Sequence, residues 1–125
     1  MVAEAFRSNA GVVGPKFVDW DEPEMLLDVG RAIDKFAFPA PVAEPGELDQ
    51  AQHDAVRDTF AVNGATMLVR ADLFEAIGGF PSDFPAYEED TDLCWRAHLA
   101  GARVVVTPSA VVRHHETTLR SVPPE

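Results

Sequence analysis

The sequence is poor in cysteine and in basic residues, and it lacks a long hydrophobic run. Its single cysteine, Cys94, excludes an internal disulfide and suits a reducing compartment. Ten Lys and Arg residues stand against 21 Asp and Glu residues, which gives a net charge of −11. This balance argues against a nucleic-acid partner, because a binding groove needs clustered cations to neutralise phosphates. No stretch approaches the roughly 18 consecutive apolar residues that a membrane-spanning helix needs.

What the sequence does contain is enough apolar material for a folded domain. Hydrophobic residues make up 46% of the 125 positions, too many for a chain that is disordered throughout. This length fits one small domain or a piece of a larger one. The excess of carboxylates fits either a solvated acidic surface or a site that attracts a divalent cation.

The first half of the chain gives mixed structural signals. We predict a helix over 3–9 that stops at Gly11, followed by a buried strand over 11–18. Pro15 indicates that this strand ends early or lies at a sheet edge, because proline cannot donate to a ladder. A turn over 20–23 follows.

Two later segments leave alternatives open. Residues 24–38 fit either a helix or a pair of strands bent at Gly30. Residues 39–52 are rich in proline and acids, so they form either an active-site loop or a plain connector.

The second half is clearer. The predicted elements are a strand within 60–69, a helix over 71–77 stopped by Gly78-Gly79, a helix over 90–100 stopped by Gly101, and strands over 103–106 and 110–114 separated by Pro108. The helix over 90–100 should turn a set of small and apolar residues inward, namely Leu93, Cys94, Trp95, Ala97 and Ala100. Its surface should carry an ion pair between Asp92 and Arg96.

Four carboxylates crowd the start of that helix. Glu88, Glu89, Asp90 and Asp92 occupy four of five consecutive positions. The free amides and the macrodipole of a helix N-terminus favour one or two acids there. Because capping does not call for four, the cluster is a candidate for a general base or a metal-charged site.

Several motifs in a fixed order carry a family resemblance. They are Asn-Gly-Ala-Thr-Met-Leu-Val-Arg at 63–70, Leu-Phe-Glu-Ala-Ile-Gly-Gly-Phe at 73–80, Tyr-Glu-Glu-Asp-Thr-Asp-Leu-Cys-Trp-Arg at 87–96, Gly-Ala-Arg-Val at 101–104 and Pro-Ser-Ala-Val-Val-Arg-His at 108–114. In this order they resemble the second half of a family-2 glycosyltransferase. The match is close over 60–115 and loose over 1–59, with a tail over 116–125. We therefore expect a single partial domain over 1–125.

The resemblance implies an α/β fold of the GT-A type. This fold is a Rossmann-like sandwich that transfers a sugar from a nucleotide-sugar with inversion. The family's first half carries nucleotide-binding strands and an Asp-x-Asp metal motif, which have no counterpart here. Asp19-Trp20-Asp21 comes too late for that motif, and Asp90-Thr91-Asp92 belongs to the helix. We expect a partial sandwich that lacks the nucleotide-binding half and is inactive by itself.

The family places a Glu-Asp pair beside the acceptor, at the N-terminus of a helix. Carried over, the catalytic pair is Glu89 and Asp90, and Asp90 would be the general base. A carboxylate within hydrogen-bond reach can take the proton that the attacking hydroxyl must lose. From the residues alone, Asp90 also fits a plain helix cap. A carboxyl group sealed in an ion pair would contradict the role of base.

The resemblance places further residues on the acceptor side. The implied substrate-binding residues are Asn63, Gly64, Gly79, Phe80, Tyr87 and Asp92. Glycines let the backbone approach a ligand closely, although plain turn chemistry explains them equally well. Tyr87 and Phe84 fit either stacking on a sugar ring or covering the core.

A divalent cation, Mg²⁺ or Mn²⁺, is implied for the full-length enzyme, with none expected on this chain alone. His114 keeps the family's spacing from Pro108 to a histidine that binds the metal, and imidazole suits Mn²⁺ beside carboxylates. His114 fits a structural histidine at a strand end equally well. His115 should point to the opposite face.

The implied partners are a nucleotide-sugar donor and a saccharide or lipid-linked acceptor of the cell envelope. We expect a cytoplasmic location, or the cytoplasmic face of the membrane for a longer parent protein. An incomplete sheet would also expose an edge, through which the chain could form a homodimer.

Two other functions stay open at this point. One is a non-catalytic half-domain that binds itself or a partner through its exposed surface. The other is a metal-dependent hydrolase built on Glu89, Asp90, Asp92 and His114, which needs a bound metal with an open water position.

Overall fold

The computed structural model describes residues 1–33, 39–80 and 89–115. These residues form helices and a mixed sheet, which confirms the predicted α/β class. In chain order the elements are α1 Val2–Ser8, β1 Val12–Asp19, β2 Leu26–Asp28, β3 Arg31–Ile33, β4 Pro39–Pro41, β5 Arg57–Asp58, β6 Leu68–Val69, α2 Ala71–Ala76, α3 Glu89–Leu99 and β7 Val104–His114. None of the described helices has the length and apolar character that crossing a bilayer requires.

A mixed sheet organises the described residues around β1. The strand order is β2-β1-β7-β5, and β6 also pairs with β1. Strands β1 and β7 run parallel, whereas β2, β5 and β6 join them in antiparallel pairs. Every residue of β1 is buried, as expected for a central strand covered on both faces. A separate ribbon pairs β3 with β4.

The pairing of β1 with β7 contains a large shift in register. Gly14 lies opposite Val106, but Lys16 lies opposite Val111. Residues 107–110 of β7 therefore stand against Pro15 alone. A bulge of this kind is one of the few places where a sheet interior tolerates proline, because no ladder hydrogen bond is required there.

This bulge corrects two predictions about proline. Pro15 was expected at a strand end or an edge, but it lies inside the central strand. Pro108 was expected to separate two short strands, but β7 is one continuous strand from Val104 to His114. In both cases the missing N–H falls where the two strands are out of register.

The first half of the chain differs from its predictions in detail. Helix α1 ends where the sequence predicted, but the left-handed residue that closes its last turn is Asn9, with a φ of 51°, and not Gly11. Around Gly30 the chain forms strands β2 and β3 and no helix. Residues 34–38 of that segment lie outside the described residues. The predicted loop over 39–52 contains the short strand β4.

One face of α3 packs on the sheet. Leu93, Cys94 and Ala97 are fully buried, and the last two join an apolar cluster with residues of β1 and β7. Burial raises the pKa of the Cys94 thiol to about 11, so this thiol stays protonated and packs as an apolar group. Trp95 and Ala100 were also expected to face inward, but both are exposed.

A buried lysine anchors the segment before β5 to the sheet. The Nζ atom of Lys16, in β1, donates to Asp49 Oδ2 at 2.6 Å and to Asp54 Oδ1 at 3.0 Å. Burial acts to lower the pKa of Lys16, but the two carboxylates outweigh it and raise that pKa. The ammonium compensates for its lost water with these contacts, and the segment is held against β1.

Beside the bulge, the backbone at Gly14 packs directly against the Val62 side chain. A Cβ atom at Gly14 would lie 2.5 Å from the Cβ of Val62. We expect Gly14→Ala to lower the free energy of unfolding by about 1–3 kcal/mol, the usual cost of overpacking a core. Urea unfolding followed by tryptophan fluorescence gives the value.

The matched control is Gly11→Ala. A Cβ there would meet Leu73 Cδ2 at 2.6 Å and Ala102 Cβ at 3.0 Å. The nearer atom is the far end of a flexible side chain, so we expect a smaller loss. If both variants lose the same free energy of unfolding, the Cβ of Val62 beside Gly14 is no more rigid than the end of the Leu73 side chain beside Gly11.

Candidate active site

The carboxylate of Asp90 joins two separate parts of the chain. Asp90 is the second residue of α3, and only 6% of it is exposed. Its Oδ1 atom accepts a hydrogen bond from the Thr91 amide, and Oδ2 accepts one from the Gly64 amide, both at 2.8 Å. The start of α3 is thereby fixed to the Asn63-Gly64 segment, and two motifs of the resemblance meet at one carboxylate.

The Gly64 amide can come this close to Asp90 only because position 64 has no side chain. A Cβ atom on Gly64 would lie 2.9 Å from the Cβ of Asp90, closer than two such atoms come in proteins. The sequence predicted a close backbone approach at Gly64 toward a ligand. In the structure the group that is approached is the Asp90 side chain.

Arg31 is the charged partner of Asp90, and sequence reasoning missed it. From β3, its Nη1 and Nη2 atoms donate to Oδ1 and Oδ2 of Asp90, each at 3.3 Å. Nη1 also donates to Thr91 Oγ1 at 2.7 Å. Burial acts to lower the pKa of Arg31, but the charges of Asp90 and Asp28 outweigh it and raise that pKa. The guanidinium therefore stays charged beside the carboxylate.

A second carboxylate supports this group from the other side. Asp28 lies 3.9 Å from Arg31 Nη2, and its Oδ2 atom accepts a hydrogen bond from Asn63 Nδ2 at 3.3 Å. Asn63 Oδ1 in turn accepts from the Ala65 amide at 2.9 Å. Both ends of the Asn63 amide, predicted to bind substrate, are thus engaged within the chain. Neither Asp28 nor Arg31 belongs to a motif that would have revealed it.

Glu89 lies beside Asp90 with one oxygen unused. The Oε2 atom of Glu89 is buried and has no hydrogen-bond partner among the described residues. A buried acceptor of this kind is costly unless something pairs with it. Residues 81–88, which precede it directly, lie outside the described residues.

Asp92 is engaged in the ion pair that the sequence predicted. Its Oδ2 atom accepts from Arg96 Nε at 2.9 Å. Arg96 also donates to the carbonyl oxygens of Ile77 and Gly79, which ties α3 to the turn after α2. Phe80 is half-exposed, and its ring packs edge-on against the ring of Phe74 in α2. Gly79 and Asp92 therefore have structural contacts that account for them.

Two of the predicted acceptor-side aromatics cannot be placed. Tyr87, with Phe84 and Glu88, lies in the segment 81–88, outside the described residues. Their expected roles stay predictions.

The two histidines at the end of β7 have separate surroundings. The ring of His114 packs edge-on against Phe17, with centroids 5.8 Å apart. His115 stacks on Trp20 at 4.8 Å. Among the described residues, no group of three or more His, Cys, Asp or Glu side chains is arranged to hold a metal ion. His114 thus supplies one possible ligand, and the residues present do not by themselves fit the implied cation.

The early Asp-x-Asp string has a structural explanation. The Oδ2 atom of Asp19 accepts hydrogen bonds from the amides of Asp21 and Glu22, at 3.1 and 2.9 Å. This carboxylate closes the turn after β1.

The Asp90 carboxylate is therefore held in one orientation by two backbone amides and one guanidinium. Such a group can accept a proton or pair with a cation once a donor yields its place. The pair with Arg31 is largely buried and reaches solvent mainly through the arginine, since 21% of the arginine side chain and 9% of the Asp90 side chain are exposed.

Known proteins similar to this chain point to one family. A family model described as "Glycosyltransferase like family 2" matches residues 20–122. The O-antigen biosynthesis protein RfbC of Myxococcus xanthus is 34% identical over 96% of this chain and 10% of its own length. The pre-mycofactocin glycosyltransferase of Mycobacterium tuberculosis is 42% identical over 79% of this chain and 23% of its own length.

A third relative matches a shorter part of this chain. The N-acetylglucosaminyl-diphospho-decaprenol L-rhamnosyltransferase of Mycobacterium tuberculosis is 42% identical over 44% of this chain and 18% of its own length. The chain spans less than a quarter of the length of each of these relatives. The mixed sheet with its helices is consistent with part of a GT-A fold. Matched by the family model over most of its length, the chain belongs to glycosyltransferase-like family 2.

Proposed function

We propose that this chain is the acceptor-side part of an inverting glycosyltransferase in which Asp90 is the general base. The observation that carries the proposal is the hydrogen bond of 2.8 Å from the Gly64 amide to Asp90 Oδ2. It joins the Asn-Gly motif to the Glu-Asp motif at a single oriented carboxylate. In the family resemblance, both motifs belong to the acceptor side.

In the proposed reaction the acceptor hydroxyl loses its proton, a new bond forms to the anomeric carbon, and the bond from that carbon to the diphosphate breaks. A hydroxyl group of the acceptor loses its proton to Asp90, and its oxygen attacks the anomeric carbon of the donor. The nucleoside diphosphate leaves with the electron pair of the broken bond. Attack from the face opposite the leaving group inverts the configuration. Glu89, whose Oε2 atom is buried and unpaired among the described residues, is the second acid of the proposed catalytic pair.

The donor belongs to another part of the proposed enzyme. The sequence carries no Asp-x-Asp motif of its own for a nucleotide diphosphate, and each relative extends well beyond the matched segment. We therefore assign the nucleotide-sugar, and the Mg²⁺ or Mn²⁺ ion that the family implies, to that part, with His114 as the one ligand offered here. No step of this proposal passes through the metal.

The class of acceptor is inferred from the names of the relatives. RfbC is named for O-antigen biosynthesis, and the rhamnosyltransferase is named for a diphospho-decaprenol substrate. We propose a saccharide or lipid-linked acceptor of the cell envelope, used at the cytoplasmic face of a membrane.

Self-association is a second candidate, favoured by one feature of the sheet. Within the described residues, β5 covers the outer side of β7 only at Val105 and Val106. Among the described strands, the stretch 111–114 pairs with β1 alone, and Val111 is exposed. Such an edge can pair with a second copy. The hydrolase alternative has no comparable support, because the described residues contain no group of three or more His, Cys, Asp or Glu side chains arranged to hold its metal.

Replacing Asp90 tests the proposed base. In a longer protein that carries this chain, we expect Asp90→Asn to lower kcat by about 10²–10⁴-fold, because an amide cannot take the proton. Release of nucleoside diphosphate measures the rate, and circular dichroism checks the fold. Asp72→Asn is the matched control, since Asp72 lies in the first turn of α2 and is exposed. Full activity of Asp90→Asn would exclude Asp90 as the base.

The chain alone should not transfer sugar. Incubated with nucleotide-sugars and acceptor extracts, the 125-residue chain should release no nucleoside diphosphate above the rate without protein, because the proposed donor site belongs to the rest of the longer protein. The longer protein is the positive control. Sugar transfer by the isolated chain would show that a donor site exists within it.

The open edge of β7 predicts a dimer. Light scattering after size exclusion should give about twice the 13.6 kDa mass of the chain. Val111→Lys should restore the monomer by placing a charge on the edge. Val56→Lys is the control, because Val56 is exposed but lies in no strand. A monomer before any substitution would exclude this candidate.

A further inference from the structure

All acceptor positions of the Asp90 carboxylate are already occupied. Each oxygen takes one backbone amide at 2.8 Å and one guanidinium nitrogen at 3.3 Å. A carboxylate offers about four lone-pair directions. An acceptor hydroxyl can therefore reach Asp90 only if one of these four donors gives up its place.

The distances identify the donor that yields. The amides of Gly64 and Thr91 are fixed by the backbone and make normal hydrogen bonds. The two contacts from Arg31 are longer than the roughly 2.7–2.9 Å of a strong charge-assisted pair. The guanidinium also hangs on a side chain that can change rotamer, whereas the two amides belong to the backbone. The contacts from Arg31 are thus both the longer ones and the ones that can move without a change in the fold.

A separate contact keeps Arg31 nearby when it yields. Thr91 Oγ1 accepts from Arg31 Nη1 at 2.7 Å, the shortest contact that the guanidinium makes in this group. Asp28 lies 3.9 Å from Nη2 on the other side. The arginine can lose one bond to Asp90 and still be held by these two neighbours.

We propose that Arg31 is a positioning residue for the base, and that the acceptor hydroxyl replaces one of its two contacts with Asp90. The remaining contact holds the plane of the carboxylate while the hydroxyl proton passes to the freed oxygen. The hydroxyl oxygen then bonds to the anomeric carbon as the nucleoside diphosphate leaves with the electron pair of its bond. This inference rests on the proposed function of Asp90.

An ordinary stabilising ion pair is the competing explanation for the same contacts. It predicts that loss of Arg31 weakens folding but leaves kcat of the folded enzyme unchanged. The positioning role predicts a fall in kcat with little change in KM, and only partial rescue by a residue that keeps the charge without the geometry. The two explanations therefore differ in measurements that stability alone does not move.

The first experiment compares Arg31→Met with the parent enzyme. We expect kcat to fall about 10- to 100-fold, because a misplaced catalytic group costs rates of this order, with KM changed little. The acidic limb of the kcat/KM profile should move upward in pH, because a nearby positive charge favours the ionised carboxylate. The other charged or titratable groups around Asp90 are Asp28 from β2 and Glu89, Asp92 and Cys94 from α3.

Two milder variants guard against a failure to fold. Arg31→Lys keeps the charge without the two-pronged geometry, so the acidic limb should return toward its original position while kcat recovers only in part. Thr91→Val keeps the side-chain shape and removes the oxygen that holds Arg31. We expect it to lower kcat in the same direction by a smaller factor.

Arg57→Met is the matched control. Arg57, on β5, is also partly buried, and it donates to the carbonyl oxygen of Val29 and not to Asp90. Arg57→Met removes the same charge and shape as Arg31→Met but no contact with Asp90. We therefore expect kcat to stay within about twofold of the parent value, and the acidic limb within about a few tenths of a pH unit.

The outcomes separate this inference from the proposed function. If Asp90→Asn is inactive but Arg31→Met and Arg31→Lys keep the parent kcat and acidic limb, the inference is wrong and the base assignment stands. If Arg31→Met acts through KM alone, or Arg57→Met has the same effect, the positioning role is likewise excluded. If Asp90→Asn is active, the base assignment fails, and the inference fails with it.

Discussion

The contact between the Asp90 carboxylate and the Gly64 amide is the constraint on which the candidate site depends. It brings the start of α3 against the chain that follows the core residue Val62, and it leaves no room for a side chain at position 64. The guanidinium of Arg31 completes the group from β3. Because these three parts are far apart in sequence, the site exists only when the sheet and α3 have packed together. Folding and the orientation of the carboxylate are therefore one event.

Much of the second half of the chain could be predicted from sequence because its signals are local. Paired glycines stop α2, a glycine follows α3, and the ion pair from Asp92 to Arg96 spans one helical turn. The position of Asp90 at the helix start also follows from its neighbours in sequence. Each of these features depends on residues a few positions apart, which a pattern in the sequence can reveal.

The rest depended on contacts between distant segments. Arg31 meets Asp90 across 59 positions, and nothing around Arg31 in the sequence marks it as a partner. Trp95 was expected to pack inside, but it is 42% exposed and meets the ring of Phe60 edge-on, a contact with a residue distant in sequence that no local pattern reveals. Pro15 breaks a local rule for central strands, and only the register of β7 explains why it is tolerated.

The shift in register between β1 and β7 has a consequence for chain length. Residues 107–110 belong to neither paired stretch, so backbone geometry does not fix how many residues lie there. Inserting or deleting a residue at this point would leave the partners of Gly14 and Lys16 in place. Homologous chains can therefore differ in length here, and the two ends of the strand can diverge independently while the sheet between them is preserved.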